Sequence, residues 1–482
     1  MTDDVSRRTL LSAGLGVAGA AALGACTDVT SQKAASTGRT TSANLTAVAG
    51  AVDLGGVAVD TWSFGGTLPA SPIRISAGET LHAQVTNHLT TDTSVHWHGV
   101  ALPNAMDGVP PVTQRAIAAG STYDYTFLAE NPGTYWFHPH VGVQLDRGLY
   151  GALIVEDPKE PLGYDDEWVV ILDDWLDGVS GMTPDSEYSA LTMSMSGMGS
   201  MSGMSSMGSV GTSTLLGGDA GDVAYPYHLV NGRIPASPDV YRSKPGKRVR
   251  LRIINAGSDT AYRVALGGHQ FTLTHTDGYP INHQTVDALL IAPGERYDAL
   301  VTLADGVFPL VALAEGKNAL GRALVCTGSG STPAADARPG ELNGRLVTAT
   351  QLTSAADARL ASKSAARTHQ IKLTGSMDMY NWSLNGIKFD MNNPTAHPYP
   401  VSQGERVRLE FVNTTTMWHP MHLHGHTFQL GATGPRKDTV IVLPGQTVSC
   451  DFDADNPGKW MVHCHNAYHG EAGMMGLLDY SA

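Results

Sequence analysis

The segment HCHNAYHGEAGMM at residues 463–475 places one thiol, three imidazoles and two thioethers within thirteen positions. One Cys, two His and a weak axial Met are the ligands of a blue-copper electron-transfer site. Side chains of an extended segment alternate between opposite faces, so Cys464 faces one way and His463 and His465 face the other. The segment therefore predicts that a copper site is joined to a second metal site through a few covalent bonds.

An internal repeat carries further histidines in register with this segment. Three copies contain a Gly, an Asn nine residues later and a Gly twelve residues after that, and they begin at Gly78, Gly246 and Gly404. A second half-module follows Gly133 and Gly458 in the same register. The His-x-His pairs of copies one and three are His96 and His98, His138 and His140, His422 and His424, and His463 and His465. The equivalent residues of the middle copy are Val264, Leu266, Val311 and Leu313.

These eight histidines indicate a metal cluster held between the first and third copies. A single buried His is ordinarily a core residue, but accidental histidines would not respect a shared register. Each pair can place both rings on one strand face, within reach of adjacent metals. Three coppers that share eight imidazoles keep coordination positions open for dioxygen. Copper is favoured over zinc because a structural zinc would not need the Cys/His/Met segment beside it.

The composition predicts an all-β chain of two or three domains. Its 482 residues include 54 Gly and 26 Pro, with Val and Thr in short stretches between turn signals. The formal charge of −14 argues against nucleic acid or anionic lipid as a partner. An acidic surface is also a common means of staying soluble, so the charge alone identifies no substrate. A monomer is expected.

The first residues predict a sorting signal. Ser6–Leu11 (SRRTLL) resembles a twin-arginine export motif, and Leu23–Cys26 (LGAC) resembles a bacterial lipobox. Residues 1–26 are therefore interpreted as a signal, with Cys26 as the lipid anchor and residues 27–45 as a flexible tether. The protein would then lie in the cell envelope or periplasm and touch the membrane only through that anchor. The alternative is a plain export signal that is cleaved nearby.

Two further cysteines have no assigned role in metal binding. Cys450 alternates with Val448 and Phe452 on one strand face, which predicts a buried thiol. A disulfide between Cys450 and Cys326 is conceivable in an oxidising compartment, but spacing alone does not indicate that the two are within reach.

Four motifs in order, HWHG, FHPH, HPMHLHGH and HCHNAYHGEAGMM, resemble those of the three-domain multicopper oxidases. The resemblance covers nearly the whole mature chain. It implies three Greek-key cupredoxin-like β-barrels at residues 46–158, 159–335 and 336–482. The mononuclear copper would lie in the third domain and the cluster between the first and third. A Met-rich insertion at about 181–210, expected to be flexible, interrupts the second domain.

The resemblance also implies a ligand for each of four copper ions. The type 1 copper would be held by His419, Cys464, His469 and the axial Met474. The type 2 copper would be held by His96 and His422. The type 3 coppers would be held by His98, His138 and His465, and by His140, His424 and His463. Met475 is interpreted as a packing residue, and the weak thioether ligand predicts a low-to-middle redox potential.

Two carboxylates are expected to supply protons during oxygen cleavage, as the resemblance implies. Asp107, eleven residues past His96, is the first. The second usually follows the last type 1 His directly, but Gly470 stands there and Glu471 is the nearest substitute. The alternative, equally supported by the sequence, is that Glu471 is an ordinary surface residue.

The implied reaction passes single electrons from a donor through Cys464 to the cluster, where four of them reduce dioxygen to two waters. A Ser/Gly/Met tract suggests Cu(I) as that donor, because thioethers are soft ligands that select Cu(I). The candidate capture residues are Met193, Met195, Met198, Met201, Met204, Met207 and Met417. The alternatives are an incidental loop beside a laccase that oxidises phenols, and a non-catalytic copper-binding envelope protein. A copper nitrite reductase would resemble a shorter two-module chain without the double His-Cys-His connection and is rejected.

Overall fold

The computed structural model describes residues 33–193 and 210–480, and strands dominate it. Alternating burial explains why these segments are strands. In Thr80–Asn87, for example, Leu81, Ala83 and Val85 are fully buried while the residues between them reach solvent. The predicted all-β class is confirmed, and the strands form three consecutive domains, each with two main sheets of four to six strands, while a separate two-stranded sheet lies in domain 2.

The strands of the three domains follow in chain order. Domain 1 contains β1 Thr40–Asp53, β2 Ala58–Phe64, β3 Ala70–Ser76, β4 Thr80–Asn87, β5 His96–His98, β6 Thr122–Leu128, β7 Gly133–His138 and β8 Gly151–Glu156. Domain 2 contains β9 Asp166–Trp175, β10 Thr212–Ser213, β11 Gly218–Asp219, β12 Tyr227–Val230, β13 Asp239–Arg242, β14 Arg248–Asn255, β15 Tyr262–Leu266, β16 Phe271–Thr276, β17 Tyr279–Val286, β18 Ala288–Ile291, β19 Arg296–Thr302, β20 Val307–Ala314, β21 Ala319–Cys326 and β22 Leu346–Val347. Domain 3 contains β23 Arg367–Thr374, β24 Ser383–Leu384, β25 Tyr399–Pro400, β26 Arg406–Asn413, β27 His419–Leu423, β28 Phe428–Leu430, β29 Arg436–Lys437, β30 Thr439–Val442, β31 Thr447–Asp453, β32 Lys459–Cys464 and β33 Met475–Asp479. Two α-helices are described, α1 Pro184–Met193 and α2 Ala467–Ala472.

The sheet orders repeat from domain to domain. The first sheets are β2-β1-β4-β6, β12-β9-β14-β19-β16-β17 and β24-β23-β26-β31-β28-β29. The second sheets are β3-β8-β7-β5, β13-β21-β20-β15-β18-β22 and β25-β33-β32-β27-β30. The second sheets of domains 1 and 3 pair the histidine strands directly, so that His96 lies opposite His138 and His422 opposite His463. In domain 2 the equivalent strands, β15 and β20, carry core residues instead.

The repeated Asn explains the constant spacing of the repeat. The Asn255 side chain donates to the Thr260 and Ile291 carbonyls, at 2.9 and 3.0 Å, and accepts from the Gly257 N–H at 2.9 Å. The Asn residues that end β4 and β26 make equivalent bonds. Each is buried, so it pairs three backbone groups that would otherwise lack partners. It thereby fixes the loop that leads into the next strand.

Two predicted boundaries were wrong. Residues 40–45, expected in the tether, form the start of β1, where Thr40 pairs in parallel with Thr80. The backbone bonds there do not depend on apolar side chains, so composition did not reveal them. The second domain also extends past residue 335, because β22 at Leu346–Val347 pairs with β18. The Pro- and Ala-rich stretch before β22 looks like a linker but returns to the same sheet.

The insertion begins with a helix, which its Ser and Gly content had not predicted. The segment of α1 has no Gly, carries Asp185 and Glu187 in its first turn, and buries Leu191. Residues 194–209, with most of the Met tract, lie outside the described residues, as do the export motif and Cys26. No helix within 33–193 and 210–480 is both long and apolar enough to span a membrane.

Cys326 and Cys450 are both free thiols. Cys326 ends β21 in domain 2, whereas Cys450 lies in β31 of domain 3 and is fully buried, as predicted. The disulfide considered from the sequence is therefore not formed. Burial raises the pKa of the Cys450 thiol well above its usual value, which makes it unreactive.

Replacing Asn255 by Ala should destabilise the protein by about 3 kcal/mol or more, since three buried backbone groups lose their partners. The midpoint of denaturant unfolding measures the effect. Asn392→Ala, at an exposed position, is the matched control and should leave the midpoint unchanged. An Asn255→Ala protein as stable as the wild type would contradict the structural role given to the repeat.

Candidate metal centre

A Cys/His/His group lies in domain 3, where β27, the end of β32 and α2 meet. The Cys464 Sγ lies 3.6 Å from His419 Nδ1 and 3.7 Å from His469 Nδ1, and those two nitrogens are 3.0 Å apart. All three side chains are buried. The Trp382 ring packs against both imidazoles, with centroids 5.2 and 4.3 Å away. The three ligand atoms predicted for a mononuclear copper therefore meet at one point.

Nε2 of both rings is hydrogen-bonded to the protein, which leaves Nδ1 of both rings to bind a metal. His419 Nε2 donates to Thr415 Oγ1 at 2.9 Å. His469 Nε2 donates to Asp222 Oδ2 at 2.9 Å, and that carboxylate also accepts from the Tyr380 hydroxyl at 2.7 Å. Such bonds set the tautomer and orientation of metal-binding imidazoles.

Met474 is hydrogen-bonded through its backbone to Cys464 and His469. The Cys464 N–H donates to the Met474 carbonyl, and the Met474 N–H donates to the His469 carbonyl, both at 3.0 Å. Its side chain is fully buried in the core that contains Cys464. Met475, one residue on, packs on a separate apolar cluster with Val109.

The four histidine pairs converge between domains 1 and 3. The histidines form three groups, and within each group the ligand nitrogens lie within 4.8 Å of one another. The groups are His96, His98 and His422; His98, His138 and His465; and His140, His424 and His463. The last two groups match the trios predicted for two copper ions. His463 Nε2 lies 2.9 Å from His424 Nε2 and 3.5 Å from His140 Nε2. His465 Nε2 lies 3.2 Å from His98 Nδ1.

Four buried nitrogens in this cluster have no hydrogen-bond partner: Nδ1 of His465, and Nε2 of His96, His138 and His422. In the last three rings the opposite nitrogen donates to a backbone carbonyl, from Asp107, Pro139 and Asp438 respectively. A buried unpaired nitrogen is costly, and it is the atom that a metal ion would bind. The residues present therefore fit a copper cluster.

The protonation of these rings also suits metal binding. Burial lowers the pKa of most of them below its ordinary value, and the charges of neighbouring rings lower it further. The affected residues are His98, His138, His140, His422, His424, His463 and His465. Neutral imidazole is the form that binds metal.

Two buried carboxylates lie around the cluster and accept hydrogen bonds from its histidines. Asp107 accepts from His424 Nδ1 at 3.0 Å and lies 3.2 Å from His96 Nδ1. Asp438 accepts from His98 Nε2 at 3.0 Å. Asp107 was predicted beside the cluster. Asp438 was missed, as was Asp222, because neither stands at a recognisable spacing from a histidine in the sequence.

Glu471 lies at the edge of a cavity of about 40 Å³ beside the cluster. His140 and His463 line the same cavity, which has room for a water-sized molecule. Burial raises the pKa of Glu471, and the nearby Asp185 carboxylate adds to that effect while Lys388 opposes it. Glu471 is therefore not an ordinary surface residue.

Two of the predicted Cu(I)-capture residues, Met193 and Met417, lie within the described residues. Met417 is 1% exposed and packs in the core, which favours a packing role over contact with a substrate. It precedes β27 on the buried side, where a long apolar side chain fills space. Met193 is 70% exposed at the end of α1, and the remaining five lie outside the described residues.

The fold and the site together define a copper-dependent oxidoreductase. The family description "Multicopper oxidase" matches residues 47–160, 166–327 and 363–481, and the chain belongs to that family. Its members use one type 1, one type 2 and two type 3 coppers, with oxygen as the acceptor.

Individual relatives cover almost the full length. Multicopper oxidase MmcO of Mycobacterium tuberculosis is 49% identical over 98% of this chain and 96% of its own length. Copper resistance protein A of Escherichia coli is 28% identical over 88% of this chain and 90% of its own. The crystal structure of a multi-copper oxidase from Pseudomonas thermotolerans is similar with a TM-score of 0.71 and 26% identity, over 91% of this chain and 99% of that one.

The copper-loaded protein should show the strong visible absorption of a blue copper site, and Cys464→Ser should abolish it because the thiolate is lost. The bound copper per chain should fall by about one ion, since the histidine cluster keeps its own ligands. Cys450→Ala removes a buried thiol outside the site and should leave the absorption intact. Retained colour in Cys464→Ser would contradict the assignment.

Proposed function

We propose that this chain is an exported cuprous oxidase that couples the oxidation of four Cu(I) to the reduction of one O2 to two H2O, with laccase-like activity on phenols. The observation that carries the proposal is the sequence His463-Cys464-His465. Cys464 faces one candidate copper site while its two neighbours reach two different histidine trios. This covalent path between the sites suits a reaction in which a donor gives one electron at a time and the acceptor needs four.

The proposed ligands are those of the sequence assignment. His419, Cys464, His469 and Met474 would hold the type 1 copper, and His96 and His422 the type 2 copper. His98, His138 and His465, and His140, His424 and His463, would hold the type 3 pair. Copper ions bound at these positions would take electrons singly and deliver four of them to dioxygen.

Electron entry is proposed at His469 through Asp222. Both type 1 imidazoles are fully buried, so a donor reaches them through neighbouring groups. Asp222 bonds His469 with one oxygen, and its other oxygen has no hydrogen-bond partner. A carboxylate at this point attracts a cation, which favours Cu(I) over a neutral phenol.

The insertion begins on the same side of the molecule. Burial and the nearby Glu471 carboxylate raise the pKa of Tyr188 to about 12, so α1 lies beside the short helix that carries His469. The Met tract follows α1 directly in the sequence and offers soft ligands for Cu(I). Export of this activity would oxidise Cu(I) outside the cytoplasm, which agrees with the proposed twin-arginine signal and with the lipid anchor at Cys26. A copper resistance protein among the relatives supports this role.

Two other functions remain as competitors. A laccase with an organic phenolic donor would use the same copper sites, and Cu(I) would then be a poor substrate. A non-catalytic copper-binding envelope protein would bind four coppers without consuming oxygen. Eleven of the twelve proposed ligands are grouped by their ligand atoms, and Met474 is bonded through its backbone to Cys464 and His469, which favours the enzyme.

Oxygen uptake by the copper-loaded protein should be saturable with Cu(I), and it should be more efficient with Cu(I) than with a phenol. Replacing the five Met residues of the tract by Leu should raise the KM for Cu(I) about tenfold, because soft ligands are removed at constant size. These residues are Met195, Met198, Met201, Met204 and Met207.

Phenol oxidation by the Leu variant serves as the internal control and should not change. A matched variant replaces Ser194, Ser196, Ser200, Ser202 and Ser205 by Ala in the same tract. Unchanged Cu(I) turnover with faster phenol oxidation would make the tract a lid over a laccase. Copper binding without any oxygen uptake would exclude the enzyme altogether.

Glu471→Gln should lower kcat by about 10²-fold with either donor, because a half-buried carboxyl beside the cavity would supply protons to oxygen reduction. Copper content and visible absorption should stay unchanged. Asp390→Asn is the control, since Asp390 lines a separate cavity on the other side of Met475. A Glu471→Gln enzyme with native kcat would assign the proton supply to Asp107 alone.

A further inference from the structure

Domain 2 contributes none of the eight cluster histidines, yet its Arg296 reaches the cluster. The side chain is fully buried. Its guanidinium donates two parallel hydrogen bonds to Asp438 of domain 3, from Nη1 to Oδ1 and from Nη2 to Oδ2, both at 2.7 Å. This bidentate arrangement fixes the plane of the carboxylate as well as its charge.

The other donors of Arg296 are also bonded. Nε donates to the Thr134 carbonyl of domain 1 at 3.1 Å, and Nη1 donates to the Gly294 carbonyl at 3.1 Å. One side chain of domain 2 therefore binds all three domains at the point where the histidines meet.

Asp438 in turn orients two cluster histidines. Its Oδ1 accepts from His98 Nε2 at 3.0 Å, and its backbone carbonyl accepts from His422 Nδ1 at 2.9 Å. The nitrogens left for a metal are consequently His98 Nδ1 and His422 Nε2. His98 Nδ1 lies 3.2 Å from His465 Nε2, within one of the trios. His98 thus differs from its neighbours, whose Nδ1 atoms donate to carbonyls or carboxylates.

The segment that carries Asp438 is held by domain 2 on both sides. The backbone N–H groups of Asp438 and Thr439 both donate to Asp277 Oδ2 at 3.2 Å. Lys437 lies 3.0 Å from Asp277 and 3.1 Å from Glu295. Asp438 therefore has little freedom except the rotation of its carboxylate, and Arg296 removes that freedom.

We propose that Arg296 is a positioning residue that selects the metal-facing nitrogen of His98 and so completes the copper cluster from a domain without ligands. A planar fork with two parallel donors is required for this task, and the point charge of a lysine does not supply it. The inference rests on the proposed function, because it assumes that His98 and His422 bind copper.

The test is Arg296→Lys, which keeps the positive charge but removes the two parallel guanidinium donors. The copper affinity of the cluster should fall about 10- to 100-fold, the usual effect of changing a partner of a metal ligand. Copper is counted per chain after equilibration with a graded copper chelator. The electron paramagnetic resonance signal of the type 2 copper should change as well, while the blue absorption of the type 1 site stays native.

Arg252→Lys is the matched control. Arg252 is a buried arginine of the same domain, bonded to Glu167 and to Thr134 Oγ1 at the same interface. It should keep native copper affinity and a native type 2 signal. Equal losses in both variants would show a general effect of the interface and overturn the proposal, as would native affinity in Arg296→Lys.

Asp438→Asn tests the same arrangement if Arg296→Lys does not fold. It retains one oxygen and the size of the side chain, and it should weaken cluster copper in the same direction. Native copper affinity in Asp438→Asn would overturn the proposal. A wild-type protein that binds fewer than four coppers would instead refute the proposed function, so the two failures are distinguishable.

Discussion

The alternation of side chains at His463-Cys464-His465 is the constraint on which the rest of the structure depends. Cys464 can face His419 and His469 only if its neighbours face the opposite way. Those neighbours then need partners from another module, and the histidines of domain 1 supply them. A shift of one residue in the register of β32 would reverse all three side chains and separate the two centres. The pairing of Met421 with Cys464 and of His422 with His463 fixes that register.

Burial then decides the chemistry of the site. Burial and the neighbouring rings lower the pKa of seven of the eight cluster imidazoles, which favours the neutral state that binds metal. Backbone carbonyls, Asp107 and Asp438 bond the second nitrogen of several of these rings and so orient them. The metal-facing nitrogens either have no partner, as in His96, His138 and His422, or lie within 3.5 Å of one another, as in His140 and His463. The surrounding polypeptide thus orients the rings, which lowers the cost of ordering the site.

The sequence predicted the all-β class from composition, and it predicted the three modules and the histidines that cluster because these follow from fixed offsets along the chain. The His-x-His pairs are the clearest example, since strand geometry turns their spacing directly into a shared face. Asp222, Asp438 and Arg296 could not be predicted in the same way. Each contacts a residue of another domain, and the spacing of these residues in the sequence does not indicate which domain surfaces are in contact. The boundary errors near residues 40 and 335 have the same origin, because backbone pairing between distant strands leaves no local pattern.

The middle domain explains why a module without ligands belongs to this structure. Its copy of the repeat keeps the buried Asn255 and both sheets but replaces the histidines with core residues such as Val264 and Val311. Domain 2 nevertheless contributes to both centres, through Asp222 at His469 and through Arg296 at Asp438.

A buried ion pair is a weak source of stability, because desolvation offsets most of the attraction between the charges. Its geometric specificity is the larger effect, particularly for a bidentate pair. Charges placed at these interfaces therefore serve to orient ligands contributed by the other two domains. On this argument the first and third domains supply the atoms that bind copper, and the second determines which way they point.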